Sequence, residues 1–194
     1  MTSQLSARDR LLDAAEDLAF TQGVAATPVD VILKQANVAP ATLYAHFGNK
    51  EGLIVQALQR RLGRWDEAWR LAINKASTPR ERLVALLPGL QNYRESVTPA
   101  RWCPFLGVAA ESPHPGDALQ EALASDTQLL STRLRELAIP VVGATGAGAL
   151  AEELLLIYTG VLGMILRGVA TGDAVALGLK TSQLAIDAAL NESG

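Results

Sequence analysis

Cysteine, histidine and aromatic residues are scarce in this sequence of 194 residues, which has one cysteine, two histidines and 5% aromatic residues. The single cysteine, Cys103, excludes an internal disulfide framework and a cysteine-rich zinc site. The two histidines, His46 and His114, are too few for a histidine-based metal or catalytic centre. We therefore expect no metal site and no cofactor.

A surplus of positive charge is also missing, because 17 basic residues stand against 20 acidic ones and the formal net charge is −3. The chain as a whole is therefore not a polybasic nucleic-acid binder. The longest uncharged hydrophobic stretch that we identify, Leu154 to Leu166, is shorter than the about 20 apolar residues that a membrane span needs. The charged first twenty residues do not resemble a signal peptide. We expect a cytoplasmic protein without a membrane partner.

Signatures of catalysis are absent from the sequence as well. It has no Ser/His/Asp set in a recognisable context, no glycine-rich phosphate loop after a strand and no Glu-x-x-His pair for a di-iron bundle. We therefore predict that the protein has no catalytic residues and is not an enzyme.

What the chain does contain is apolar residues at helical spacing nearly throughout, in a sequence that is 49% hydrophobic. This pattern predicts an all-α protein. Ser6, Thr27, Asn49 and Thr78 are the expected helix caps, and Gly23 and Asn37 are expected to end helices. The predicted helices number about nine and span residues 6–22, 28–36, 40–46, 50–75, 79–95, 102–111, 117–138, 150–170 and 173–190.

The first three predicted helices are short, and the tight turn between the second and third is typical of a helix-turn-helix. In the third helix, Thr42, Tyr44 and His46 present hydrogen-bond donors on surfaces where DNA phosphates would lie. For Tyr44 we favour a packed ring with its hydroxyl on a phosphate over a ring that only fills the core. Lys50, at the start of the fourth helix, suits a phosphate as well.

Residues 10–53 resemble the DNA-binding domain of the TetR family of transcriptional regulators. The matching elements are Leu12-Asp13-Ala14-Ala15, Gly23, Thr27, Val29, Ile32, Ala36, Val38, Thr42-Leu43-Tyr44, His46-Phe47 and Lys50-Glu51. The sequence departs from the family pattern at Ala39, where a Ser or Thr cap is usual, and at Pro40. The resemblance implies that residues 1–50 are a DNA-binding domain, built as an N-terminal three-helix bundle. It also implies that the DNA contacts come from Thr27, Pro40, Ala41, Thr42, Tyr44, Ala45, His46 and Lys50.

The base-facing positions of the third helix are largely apolar, since they are Pro40, Ala41 and Ala45. Such residues contact thymine methyl groups but cannot form bidentate hydrogen bonds with guanine. We therefore expect specificity to depend on methyl contacts, on Thr42, and on DNA shape or water. Because acidic residues outnumber basic ones in residues 1–52, we expect a modest salt dependence of binding.

For residues 51–194 the resemblance implies a larger helical bundle that binds an effector and dimerises. Bundles place ligand cavities between helices, lined mostly by apolar side chains. The candidate pocket residues are large and apolar: Trp65, Trp69, Leu86, Leu90, Tyr93, Phe105 and Tyr158. The candidate homodimer contacts lie on the last two helices: Gly160, Gly163, Leu179, Ser182 and Ile186.

The favoured function is a ligand-responsive homodimeric regulator, most simply a repressor that a small hydrophobic effector releases from a palindromic DNA operator. The alternative is a helical small-molecule-binding or catalytic protein whose helix-turn-helix is only structural. A DNA-organising protein without an effector is a third possibility. We interpret Cys103 as a packing residue, and redox sensing is the alternative. We interpret His114 as a loop residue, and contact with a ligand is the alternative.

Overall fold

The computed structural model describes residues 5–96, 100 and 103–192, and this part of the chain contains nine helices and no strand. The helices are α1 (Ala7–Gln22), α2 (Val29–Ala36), α3 (Pro40–Phe47), α4 (Lys50–Lys75), α5 (Pro79–Val84), α6 (Leu86–Ser96), α7 (Pro104–Glu111), α8 (Asp117–Leu166) and α9 (Thr171–Glu192). The all-α prediction is confirmed. The predicted start of the sixth helix at Trp102 lies outside the described residues.

Most predicted caps are present with the expected geometry. The Ser6 hydroxyl accepts the backbone N–H of Asp9 at 3.1 Å, and Thr78 forms a reciprocal capping box with Glu81. Asn37 ends α2 in the left-handed conformation, with φ 51° and ψ 56°. Short-range signals of this kind depend only on neighbouring residues, so the sequence is sufficient to predict them.

Three local predictions are wrong. The N-cap of α2 is Pro28 rather than Thr27, whose hydroxyl instead donates to the carbonyl of Gly23 at 2.7 Å. The predicted fifth helix divides at Ala85, whose N–H bonds to Arg82, three residues back. The predicted stop before Pro140 does not occur, and α8 continues to Gly143, where φ is 78° and ψ is 168°. A glycine adopts that conformation without strain because it lacks a Cβ.

The chain forms two compact units. The first consists of residues 1–63 and 98–125, and the second of residues 64–97 and 126–194, so α4 contributes residues to both. The core of the first unit contains residues of α1, α2, α3, α4 and α7. Leu11, Ile32, Leu43 and Leu58 are among its fully buried members. The core of the second unit contains Trp69, Leu83, Leu86, Leu134 and Ile186. The functional boundary at residue 50 remains a prediction.

One described helix, α8, is long and apolar enough to cross a membrane by length and composition. Its most apolar window has a mean hydropathy of 1.8, and 33% of that window is buried inside the chain. A single helix of this kind is weak evidence for a span, because the core helix of a water-soluble protein passes the same test. The break at Gly143 also divides α8 into two helical segments.

Candidate nucleic-acid interface

The position of α3 is fixed by its two buried residues, Leu43 and Phe47, which lie four residues apart on one face. They belong to the same core as Ile32 and Ala36 of α2. The left-handed turn at Asn37 lets α3 pack back against α2 and α1. The arrangement is a helix-turn-helix in which α3 is the outer helix.

The other faces of α3 point away from this core. Five of the predicted contact residues are exposed on it: Pro40, Ala41, Tyr44, Ala45 and His46. Thr42 is half-buried. Tyr44 is 58% exposed, so the packed ring expected from the sequence is wrong and more than half of this residue is available to a partner. The structure therefore brings six of the eight candidate DNA contacts together on one short helix.

The two remaining candidates, Thr27 and Lys50, make contacts within the domain. Thr27 is 1% exposed, and its hydroxyl proton is used by the Gly23 carbonyl. Lys50 is half-buried, and its Nζ donates to the carbonyl of Val24 at 2.5 Å. Both side chains thus hold the turn that follows α1. An ammonium group has three donors, so Lys50 retains two for another acceptor.

The turn from α3 to α4 depends on a glycine that the sequence analysis did not single out. The Asn49 side-chain oxygen caps α4 by accepting the N–H of Gly52 at 2.8 Å. A Cβ on Gly52 would lie 2.1 Å from the carbonyl oxygen of Phe47, the last residue of α3. No side chain fits there, so Gly52 allows α4 to start directly behind α3.

A second contact missed by the sequence analysis holds the turn before α2. The Glu111 carboxylate, at the end of α7, accepts the backbone N–H of Ala25 at 2.7 Å. A Cβ on Gly23 would lie 2.8 Å from the same carboxylate. Cys103, at the N-cap of α7, is half-buried and lines a small cleft together with residues of this turn. The redox alternative for Cys103 is untested.

Buried charge links α1 to α4 within the first unit. Glu16 is 4% exposed and accepts from Arg60 Nε at 2.6 Å, while Arg60 Nη2 pairs with Asp13 at 2.8 Å. Arg61 Nη1 lies 3.8 Å from the other oxygen of Glu16. Since a buried carboxylate is stable only when paired, these contacts fix the middle of α4 relative to α1.

Six of the seven predicted pocket residues lie buried in the second unit, namely Trp65, Trp69, Leu86, Leu90, Tyr93 and Tyr158. Trp65 is at the centre of their aromatic members. Its ring centroid is 5.9 Å from Trp69, 5.9 Å from Tyr158 and 5.6 Å from Tyr93. The seventh residue, Phe105, belongs to the core of the first unit.

The predicted dimer residues differ in their exposure. Gly160 is exposed, and Gly163 and Leu179 are half-buried. Ser182 and Ile186 are 1% and 0% exposed, so they pack inside their own chain and offer no surface to a partner. Large apolar residues that the sequence analysis did not select are exposed on the same two helices: Leu156, Leu166, Leu177, Leu184 and Leu190.

An exposed outer helix on a three-helix core is the arrangement that defines a helix-turn-helix. Residues 11–57 match the family model described as bacterial regulatory proteins, tetR family. The fold agrees with a TetR-family transcriptional regulator from Streptomyces coelicolor, with a TM-score of 0.80 and 23% identity over 96% of this chain and 95% of that one. The sequence match to this family covers residues 11–57, and the likeness to the solved structure is one of fold.

Two curated relatives match over the N-terminal part. The transcriptional regulator BetI of Rhizobium meliloti is 36% identical over 80 residues, which is 41% of this chain and 39% of the relative. The transcriptional regulator QacR of Staphylococcus aureus is 31% identical over 78 residues, which is 40% of this chain and 42% of the relative. The chain therefore matches less than half the length of these two relatives.

Proposed function

We propose that the protein regulates transcription as a homodimer, binding a palindromic DNA operator with α3 and releasing it when a small effector binds the second unit. The exposed face of α3 carries this proposal. Its buried side is anchored by Leu43 and Phe47, while Tyr44 and His46 remain accessible. Such a helix fits the major groove. The curated relatives BetI and QacR are named as HTH-type transcriptional regulators, which supports the same function.

Dimerisation is supported by the exposed leucines of α8 and α9. Leu156 is 73% exposed, Leu184 62% and Leu177 53%. Leu177 and Leu184 lie seven residues apart on α9 and therefore share one face of that helix, and an exposed apolar face is typical of an interface. A two-fold dimer would place two α3 helices on half-sites about one helical turn (roughly 34 Å) or a multiple of it apart. Burial of these leucines by a second copy would also account for the apolar character of α8 without a membrane.

Repression with release by an effector is the simplest form of regulation for this architecture. Helix α4 is continuous from Lys50 to Lys75 and contributes to both units, so a change in one unit can reach the other through it. A 100-fold loss of operator affinity requires about 2.7 kcal/mol of difference in effector affinity between the two states. The protein would act in the cytoplasm, where its operator is.

Binding-site selection from random DNA duplexes tests the proposal. We expect enrichment of a palindrome, and then a loss of at least tenfold in affinity for it in Tyr44→Ala and His46→Ala, measured by fluorescence anisotropy. Glu121→Ala, an exposed position on α8, is the matched control and should bind like the parent protein. Failure to enrich any sequence, with a folded protein, would favour a structural helix-turn-helix in a small-molecule-binding protein instead.

A further inference from the structure

Three buried N–H groups of the second unit have no acceptor among the residues that the structure describes. They are the indole N–H of Trp65, the indole N–H of Trp69 and the Nη1 group of Arg133. Trp65 is 5% exposed and Trp69 is 0% exposed. Buried donors nearly always have partners, because leaving one unpaired costs its desolvation energy. Three such donors close together mark a place where acceptors are required.

The three donors belong to one cluster of side chains. The rings of Trp65 and Trp69 are inclined by 21° at a centroid distance of 5.9 Å, and the Arg133 guanidinium lies 4.7 Å from the Trp69 centroid. The ring of Tyr158 is inclined by 20° to the ring of Trp65, also at a centroid distance of 5.9 Å. Nearly parallel rings of this kind favour a flat ring system as their next neighbour.

The position over an aromatic face where a ligand cation would bind is already occupied in this cluster. Aromatic faces attract cations, and Arg133 occupies that position over Trp69, held by Asp66 at 2.5 Å. A ligand ammonium group would bring only further donors to a cluster whose open positions are all donors. A carboxylate offers acceptors only, and charge-assisted hydrogen bonds to it are the stronger kind.

A groove on α8 has one residue, Arg133, in common with the cluster. It has a volume of about 360 Å³ and is lined by Gln128, Leu129, Thr132, Arg133 and Glu136. Arg133 belongs both to this groove and to the aromatic cluster, and an arginine side chain is long and flexible.

We propose that the effector is a planar aromatic carboxylate, which stacks in the ring cluster and accepts hydrogen bonds from Trp65, Trp69 and Arg133. This inference rests on the proposed function, because it specifies the ligand of the proposed regulator. It differs from the expectation of a merely hydrophobic effector, since the acceptor group decides which ligand binds.

Isothermal titration calorimetry of the full chain with two matched probe pairs tests this inference. The pairs are benzoate with benzylammonium, and 2-naphthoate with 2-naphthylmethylammonium, so ring size is constant and only the charged group changes. We expect at least one carboxylate to bind at least tenfold more tightly than its ammonium partner. Equal or tighter binding of the ammonium probes, or no binding of either carboxylate, would overturn the proposal.

Variants locate the site. Trp65→Phe and Trp69→Phe keep a ring but remove the donor, and each should weaken carboxylate binding by about tenfold. Arg133→Gln should do the same, whereas Arg70→Gln, which removes an exposed arginine that also pairs with Asp66, should not. Circular dichroism confirms folding of each variant. Carboxylate binding that is unchanged in all three variants contradicts the site.

Operator affinity without probe is measured on the same samples, which keeps the two proposals separate. Normal operator binding with no carboxylate binding rejects the effector class and leaves the regulator intact. Absence of operator binding in the parent chain rejects the proposed function itself.

Discussion

The carboxylate of Glu111 accepts the backbone N–H of Ala25 at 2.7 Å, across 86 residues of sequence. Ala25 lies in the turn between α1 and α2, and Glu111 is the last residue of α7. The turn that precedes the helix-turn-helix is therefore held by a segment from the middle of the chain. The same carboxylate lies where a side chain at Gly23 would be, so the contact also requires that glycine.

Removing this acceptor should loosen the turn. We expect Glu111→Ala to lower the free energy of unfolding by about 1 kcal/mol, the usual net value of one hydrogen bond. Amide exchange at Ala25, followed by NMR, should speed up by about fivefold, since about 1 kcal/mol corresponds to a factor of about five. Glu111→Gln keeps a carbonyl acceptor and should change both quantities less. Unchanged exchange in the alanine variant would contradict the contact.

Gly52→Ala should be strongly destabilising, because its Cβ would lie 2.1 Å from the Phe47 carbonyl oxygen. Overpacking of this kind costs about 1–3 kcal/mol. Gly63→Ala is the matched control in the same helix, where no atom lies within 4 Å of the added Cβ. An alanine there should stabilise the protein by about 0.5–1 kcal/mol. Urea unfolding of both variants measures the difference in sign, and equal effects would refute the argument.

The network around Glu16 predicts a large cost for removing that carboxylate. Glu16→Ala would leave the partly buried Arg60 without one of its two partners, and breaking a buried ion pair costs about 3 kcal/mol or more. The comparison is Glu67→Ala, which breaks a pair with Arg70 whose side chains are 53% and 56% exposed. That pair should contribute about 0.5 kcal/mol. Chemical denaturation of the two variants should therefore give clearly different midpoints.

The ionisation of the Asp126 carboxyl should make the stability of the protein depend on pH. Burial raises the pKa of its carboxyl from 3.8 to about 6, so the folded state holds a proton that the unfolded state has released. Between those two values, stability falls as pH rises, and the full penalty is present above pH 6. Asp126→Asn removes the penalty and should stabilise the protein by roughly 3 kcal/mol at pH 7. The gain should vanish near pH 3.5, which urea unfolding at both pH values can check.

Asp187 is a control, because the pKa of its carboxyl is shifted in the opposite direction to that of Asp126. Its hydrogen bond with Arg80 lowers the pKa of the Asp187 carboxyl, and the two groups lie 2.7 Å apart. The pair therefore contributes stability above the ordinary pKa, which is lost as the pH falls through the lowered value. Asp187→Asn should be neutral or destabilising at pH 7. A stabilising effect like that of Asp126→Asn would show that both changes act through something other than ionisation.

The sequence predicts what depends on neighbours and misses what depends on distant packing. Ser6, Asn37 and Thr78 act on backbone groups within a few residues, so their roles follow from residue type. Nothing near Glu111 or Gly52 indicates a partner, because that partner is defined only after the helices pack. Ser182 and Leu184 illustrate the same limit, since helical spacing alone does not tell which face of α9 the core covers.

The exposed leucines predict that single charges will separate the proposed dimer. We expect Leu156→Glu and Leu184→Lys each to convert the protein to monomers at micromolar concentration, because a charge buried without a partner at an apolar interface is strongly unfavourable. Leu71→Lys is the control, since Leu71 is 51% exposed on α4. Analytical ultracentrifugation gives the mass of each variant. If the parent protein sediments as a monomer, these leucines do not form a dimer interface. Addition of lipid vesicles would then show whether the apolar face of α8 binds a membrane.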